Sequence, residues 1–153
     1  MIAAVAVSVM LSACAPTVVP AGGPVQAPQL TEDRYVAADG TALPVSTWPA
    51  ANGAPTAVIL GLHGFGDYRN AWEEPATVWA KDGITTYAYD QRGFGGSPTR
   101  GRWPGTDTLV DDAKAVAALL RAKYPACRST SQAKAWGAPS SWWPPTGAWM
   151  PMG

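Results

Sequence analysis

Three features of this sequence predict an α/β fold with a parallel sheet: the order of its elements, two apolar runs of strand length, and the glycine-rich loop that follows each run. The runs are Ala57-Val58-Ile59-Leu60-Gly61-Leu62 and Ile84-Thr85-Thr86-Tyr87-Ala88-Tyr89. Neither alternates between apolar and polar residues, so each is expected to be buried on both faces, as parallel strands are. His63-Gly64-Phe65-Gly66-Asp67 follows the first run, and Asp90-Gln91-Arg92-Gly93-Phe94-Gly95-Gly96-Ser97 follows the second.

The chain opens on a short apolar run over residues 1–13, ending in Leu11-Ser12-Ala13-Cys14. A bilayer-spanning helix takes about 20 residues, so the run fits the core of a signal peptide instead. Its end resembles the bacterial lipobox, which implies a leader over 1–14 and a lipid on Cys14. The mature chain would then be lipid-anchored in a bacterial cell envelope, with the membrane as a partner. No Lys or Arg precedes the run, which departs from the usual leader and leaves two readings, a start upstream or a misassigned initiator. Residues 15–30 are rich in Pro, Gly, Ala and Val and read as a flexible tether.

From residue 31 the pattern becomes that of a domain. Residues 34–38 read as a strand, Asp39-Gly40 as a hairpin turn, and 41–48 as the partner strand. A loop at 53–55 leads into the first apolar run. Residues 68–81 read as a helix closed by Gly83, and the second run follows. Thr106 or Asp107 can cap a last helix carrying Leu109, Ala113, Val116 and Leu120 on one face. The order is hairpin, strand, helix, strand, helix over residues 31–126. Residues 127–153 read differently. They hold four of the eight tryptophans and no acid, with neither strand nor helix periodicity.

The 153 residues carry a formal net charge of zero, which argues against a nucleic-acid partner, since phosphate binding needs a basic surface. Cys14 and Cys127 lie in the leader and the tail, so a disulfide framework is not expected. The single histidine, His63, restricts general-base chemistry near neutral pH.

A strand followed by His63-Gly64-Phe65-Gly66 resembles the oxyanion-hole loop of α/β-hydrolases, and Asp90 to Ser97 matches the D-x-R-G-x-G-x-S loop of the same family. Trp79-Ala80-Lys81-Asp82-Gly83 and Tyr87-Ala88-Tyr89-Asp90 are similar to the lysophospholipase and monoacylglycerol-lipase branch, the serine aminopeptidase S33 type. The resemblance runs from about residue 30 to 126. It implies an N-terminal hairpin and parallel strands with flanking helices, a partial α/β-hydrolase sheet truncated before the nucleophile elbow. It implies that the backbone N–H of Phe65 helps hold an oxyanion. It implies that Asp90, Arg92, Gly93, Gly95 and Ser97 shape a structural loop rather than react. No metal or cofactor is implied; the substrate would be a lipid or a small acyl ester.

The family's nucleophile sits in a G-x-S-x-G elbow, followed by an acid and a histidine. These 153 residues contain no such elbow. Ser97 lies in Gly95-Gly96-Ser97-Pro98-Thr99, and Ser140 and Ser141 lie in the tail. The triad is therefore expected to be absent and the chain inactive. The missing strand is expected to leave the run at 57–62 with an unpaired edge. The tail suggests its own origin. Reading the third base of each codon with the first two of the next forces Gly at Trp136-Gly137, Val at Trp142-Trp143 and Ala at Trp143-Pro144. From Cys127 the shifted frame permits Pro-Leu-Tyr-Leu-Ala-Gly-Glu-Ser-Met-Gly-Gly, a buried strand and an elbow, so a frameshift after Ala126 is expected. Two rival readings remain. One is an anchored lipoprotein that binds lipid or a partner through its tryptophans; the other pairs Ser97 with His63 for catalysis.

Overall fold

A computed structural model describes residues 17–133; the leader, Cys14, and the tail from residue 134, where the shifted elbow would fall, lie outside the described residues. A six-stranded mixed sheet organises the domain, with strand order β1-β2-β3-β5-β4-β6. β1 (Gln29–Leu30), β2 (Arg34–Val36) and β3 (Ala42–Trp48) are antiparallel neighbours, and β3 runs antiparallel to β5 (Ile84–Tyr89). β5 lies parallel to β4 (Ala57–Leu62), and β6 (Arg128–Ala133) lies parallel to β4 on its other side.

Alternation along the strands sends side chains to two faces. On one face Leu43, Val45, Val58, Leu60, Tyr87 and Tyr89 pack with Val116, Ala117 and Leu120 of α2 (Thr106–Lys123). Burying each large side chain contributes about 1.5–3 kcal/mol, so this face is the main core. On the other face α1 (Glu73–Lys81) covers β5 and β3. There the Trp72 indole lies flat on the strand backbone: a methyl at Gly61 would come within 2.8 Å of it. That explains the one glycine in an otherwise large-residue strand.

The structure corrects four expectations. First, residues 68–81 do not form one helix: a 3-10 turn at Arg69–Trp72 precedes α1. Pro75 is the reason, because it has no N–H to donate to the carbonyl of Ala71 and belongs in a first turn. Second, neither Thr106 nor Asp107 caps α2. Gly105 occupies the cap at φ 86°, which suits glycine, and Thr106 is already helical. Third, the described part of the tether is docked. Val19 N–H donates to Trp103 O (2.8 Å), Gly22 N–H to the Asp39 carboxylate (3.0 Å) and Val25 N–H to Ala38 O (2.7 Å), while Gln29–Leu30 forms β1. These bonds are made by backbone, so composition gives no sign of them.

The fourth correction concerns the tail. Residues 128–133 form β6, in register from Ala57↔Arg128 to Leu62↔Ala133, so the edge of β4 is paired. Backbone pairing does not depend on side-chain identity, and an open apolar edge strongly demands it. The residues that fill this place, Arg-Ser-Thr-Ser-Gln-Ala, are nonetheless polar for a strand beside β4. Cys127, just before it, is half-buried, and its thiol donates to Pro55 O at 2.8 Å.

Candidate functional site

The chain leaves β4 toward β5 on one side, while β6 pairs on the other, so the strand order reverses between β4 and β6. In open α/β sheets such a switch point opens a crevice at the carboxyl ends of the strands, and ligands bind there. The loop that follows β4 at that end is His63 to Asp67. Gly66 turns it at φ 77°, with Asp67 N–H donating to Gly64 O at 3.2 Å.

His63 is buried, 5% exposed, and stitches this loop to the next one. The Gln91 backbone N–H donates to His63 Nε2 at 2.9 Å, and the Gln91 side-chain amide donates to His63 O at 2.6 Å. A backbone N–H only donates, so Nε2 must accept and the ring proton resides on Nδ1. Nδ1–H then donates to Gly64 O at 2.9 Å. Both ring nitrogens of His63 are thus engaged in bonds that hold the two loops together. Its ring meets Phe94 edge-on at 5.6 Å. Phe65, by contrast, points outward at 73% exposure, and no group among the described residues accepts from its N–H.

The loop after β5 is held far more heavily. Asp90 is fully buried, and its carboxylate accepts from Arg69 N–H (2.8 Å), Arg69 Nη1 (2.5 Å) and Gly96 N–H (2.6 Å). Gly95, at φ 52°, passes so close that a Cβ there would collide with this carboxylate. Gly93, at φ 85°, would collide with Arg102 O in the same way. Ser97 is buried, and its hydroxyl meets Thr99 Oγ1 at 3.0 Å and Thr99 N–H at 3.3 Å. It bonds within its own loop and not to His63, so the two do not form a catalytic pair here.

Arg92 is the hub of a buried charge cluster. Its guanidinium forks onto Asp39 (2.7 and 2.9 Å), grips Asp112 through Nε (2.6 Å) and touches Thr41 Oγ1 (2.9 Å). Burial opposes the charge on Arg92, but the bonds from Asp39 and Asp112 outweigh it and raise its pKa. The Arg92 bonds hold the Asp39 carboxyl well below the usual range. Asp112 is raised instead, because burial on α2 outweighs the pull of Arg92. One guanidinium thus ties the β2–β3 turn, the second loop and α2 together.

The bonding roles of Gln91, Asp39, Asp112 and Arg69 were not read from the sequence. Only Asp112 left a signal, being an acid at helical spacing before Val116 and Leu120 on the buried face. Among the described residues no group of three His, Cys, Asp or Glu side chains converges as metal ligands would, and no helix is long and apolar enough to cross a membrane.

The sheet is similar to several solved α/β proteins. A soluble variant of monoglyceride lipase from Saccharomyces cerevisiae, bound to a substrate analog, superposes with a TM-score of 0.57 at 22% identity, over 75% of this chain and 39% of that one. A lipase in an open form gives 0.59 at 21%, over 71% and 37%. A thermostable carboxyl esterase from Bacillus coagulans gives 0.56 at 18%, over 70% and 36%. At these identities the likeness establishes the α/β-hydrolase fold, and the chain spans under two fifths of each structure. An uncharacterized abhydrolase domain-containing protein of Dictyostelium discoideum is 29% identical over 93 residues, 60% of this chain and 10% of that protein. The serine aminopeptidase S33 family matches residues 53–139, covering β4, both glycine-rich loops, both helices and β6. With more than half of its length matched, this chain belongs to the serine aminopeptidase S33 family of α/β-hydrolases.

Proposed function

We propose that this chain carries the oxyanion-forming half of a serine hydrolase acting on acyl esters of lipid type, lysophospholipids or monoacylglycerols. One observation carries the reading. The His63–Gln91 stitch fixes the turn at the end of β4, and no group among the described residues accepts from the Phe65 N–H. A preorganised N–H at that position is what an acyl-transfer site needs to receive developing negative charge. The likeness to lipases and an esterase supports the ester class. A complete site also needs a serine after β6, a base and an acid. These 153 residues offer no elbow serine, and their one histidine is occupied. The chain as it stands is therefore inert.

Active-site labelling tests this directly. A fluorophosphonate should leave every serine unmodified, and short p-nitrophenyl esters should turn over no faster than in buffer. A serine reacts only when a base activates it and an oxyanion hole receives the adduct. Stoichiometric labelling of Ser97 or of any tail serine would overturn the reading.

The proposal includes an anchor. Leu11-Ser12-Ala13-Cys14 supports a lipidated Cys14 that holds the domain to a bacterial envelope membrane. Dual acyl chains give stable attachment where one chain does not. Cys14→Ser should release the chain to the soluble fraction; unchanged membrane fractionation would refute the anchor.

A further inference from the structure

We propose that the mouth of the site is pressed against the bilayer by an apolar rim built from Val18, Val19, Phe65 and Trp103. The inference rests on the lipid anchor proposed above and adds an orientation to it. Four observations carry it. Phe65 is 73% exposed on the turn that follows β4. Its ring meets Phe94 edge-on at 5.3 Å and lies tilted against the half-buried Trp103 at 6.4 Å, so aromatic contacts join the two loops beneath the exposed Phe65. The N-terminal segment runs into the same place. Val18 bridges to Trp103 in parallel register, Val19 N–H donates to Trp103 O at 2.8 Å, and both valines remain exposed at 50% and 38%. Lastly, Arg100 and Arg102 are exposed on the loop that ends in Trp103.

Chain length supplies the geometry. Val18 lies four steps along the chain from Cys14, with three residues between them, and a fully extended chain covers at most about 3.6 Å per step. A lipid on Cys14 therefore keeps the rim within roughly 14 Å of the acyl anchor. Aromatic rings favour the interfacial layer of a bilayer, and flanking arginines favour anionic headgroups.

Two measurements on the full chain test the rim. In the first, the anchor-free Cys14→Ser chain is floated with vesicles of phosphatidylcholine and phosphatidylglycerol. Adding Phe65→Ser and Val18→Ser should weaken partitioning about tenfold, whereas Val78→Ser on α1, 54% exposed, should leave it unchanged. Both rim positions are exposed, so the fold should survive, as circular dichroism will report. In the second, the lipidated chain is placed in vesicles of brominated phosphatidylcholine. The bromine quenching seen in the parent should fall in Trp103→Phe and persist in Trp48→Phe. Rim variants that partition like their parent, or quenching unaltered by Trp103→Phe, would overturn the proposal. So would partitioning lost only in Trp142→Ser with Trp143→Ser, which assigns docking to the tail. The mass of the N-terminal peptide reports the lipid on Cys14 separately. A lipidated Cys14 with an indifferent rim sinks this inference alone, while a bare Cys14 with a binding rim sinks only the anchor.

Discussion

β4 has two parallel neighbours, and they differ in kind. β5 presents Tyr87 and Tyr89 to the main core and Thr86 and Ala88 to the other face, all buried, and its loop is tied down by Asp90 and Arg92. β6 occupies an equivalent place, in register along the whole of β4, with the sequence Arg-Ser-Thr-Ser-Gln-Ala. On the β5 side, backbone pairing, side-chain burial and loop bonding all agree. On the β6 side the backbone pairs along the whole of β4, and the sequence that pairs is polar. Agreement across levels is what makes a sequence specify one structure, so the β5 side is expected to carry the stability and the β6 side to limit it.

The largest test would remove the difference. Restoring the reading frame after Ala126 should replace β6 with Pro-Leu-Tyr-Leu-Ala and follow it with Gly-Glu-Ser-Met-Gly. Burying those apolar side chains should add of order 5 kcal/mol to unfolding in urea. Fluorophosphonate labelling should appear at the new elbow serine and vanish when that serine becomes alanine. A stop codon directly after the shift, or no histidine codon downstream, would refute the frameshift and leave the polar β6 as the native strand.

The next test breaks the β5 side. Arg92→Ala leaves Asp39 and Asp112 buried without their cation, which should cost about 3–5 kcal/mol. Arg92→Lys should recover only part, because an ammonium cannot fork onto Asp39 while gripping Asp112. A loss below about 1 kcal/mol in urea melts, the range of an exposed ion pair, would mean that the cluster does not support the sheet. Gly61→Ala probes β4 itself. The added methyl would press on the Trp72 indole, and overpacking of this kind costs about 1–3 kcal/mol. Weakened near-ultraviolet dichroism from Trp72 should accompany it; an unchanged melt would mean that the indole moves aside freely.

The smallest expected effect is in pH dependence. The Asp39 carboxyl is held well below its unfolded value of about 3.9. Its contribution is therefore complete above that value and is lost as the pH falls through the lower, folded value. Asp112 acts with the opposite sign, since burial raises it. Asp39→Asn should flatten the loss of stability below about pH 4, read as the urea midpoint against pH. A slope as steep as that of the parent would take Asp39 out of the acid limb.

Much of this was legible in the residues. Two continuous apolar runs located β4 and β5, because burial on both faces leaves no polar positions. His63-Gly64 and Asp90 to Ser97 located the loops, because close backbone turns restrict those positions to glycine and their bonds to particular polar groups. Pro75 marks where a helix must break, although the periodicity over 68–81 hides it. Gln91, Asp39 and Asp112 were beyond a linear reading, since their partners lie 28, 53 and 20 residues away.

The sequence alone determined the fold class, the place of each apolar strand and that these 153 residues hold no G-x-S-x-G pattern, because burial, turn chemistry and residue identity are local properties. Tertiary structure decided the rest. It paired β6 to β4 despite a polar sequence, because an open strand edge must satisfy its N–H and C=O groups whatever side chains arrive. It docked the N-terminal segment on Trp103 and Asp39 through backbone N–H groups that composition does not register. It also placed the His63 proton on Nδ1, because only the fold brings the Gln91 N–H to the other nitrogen.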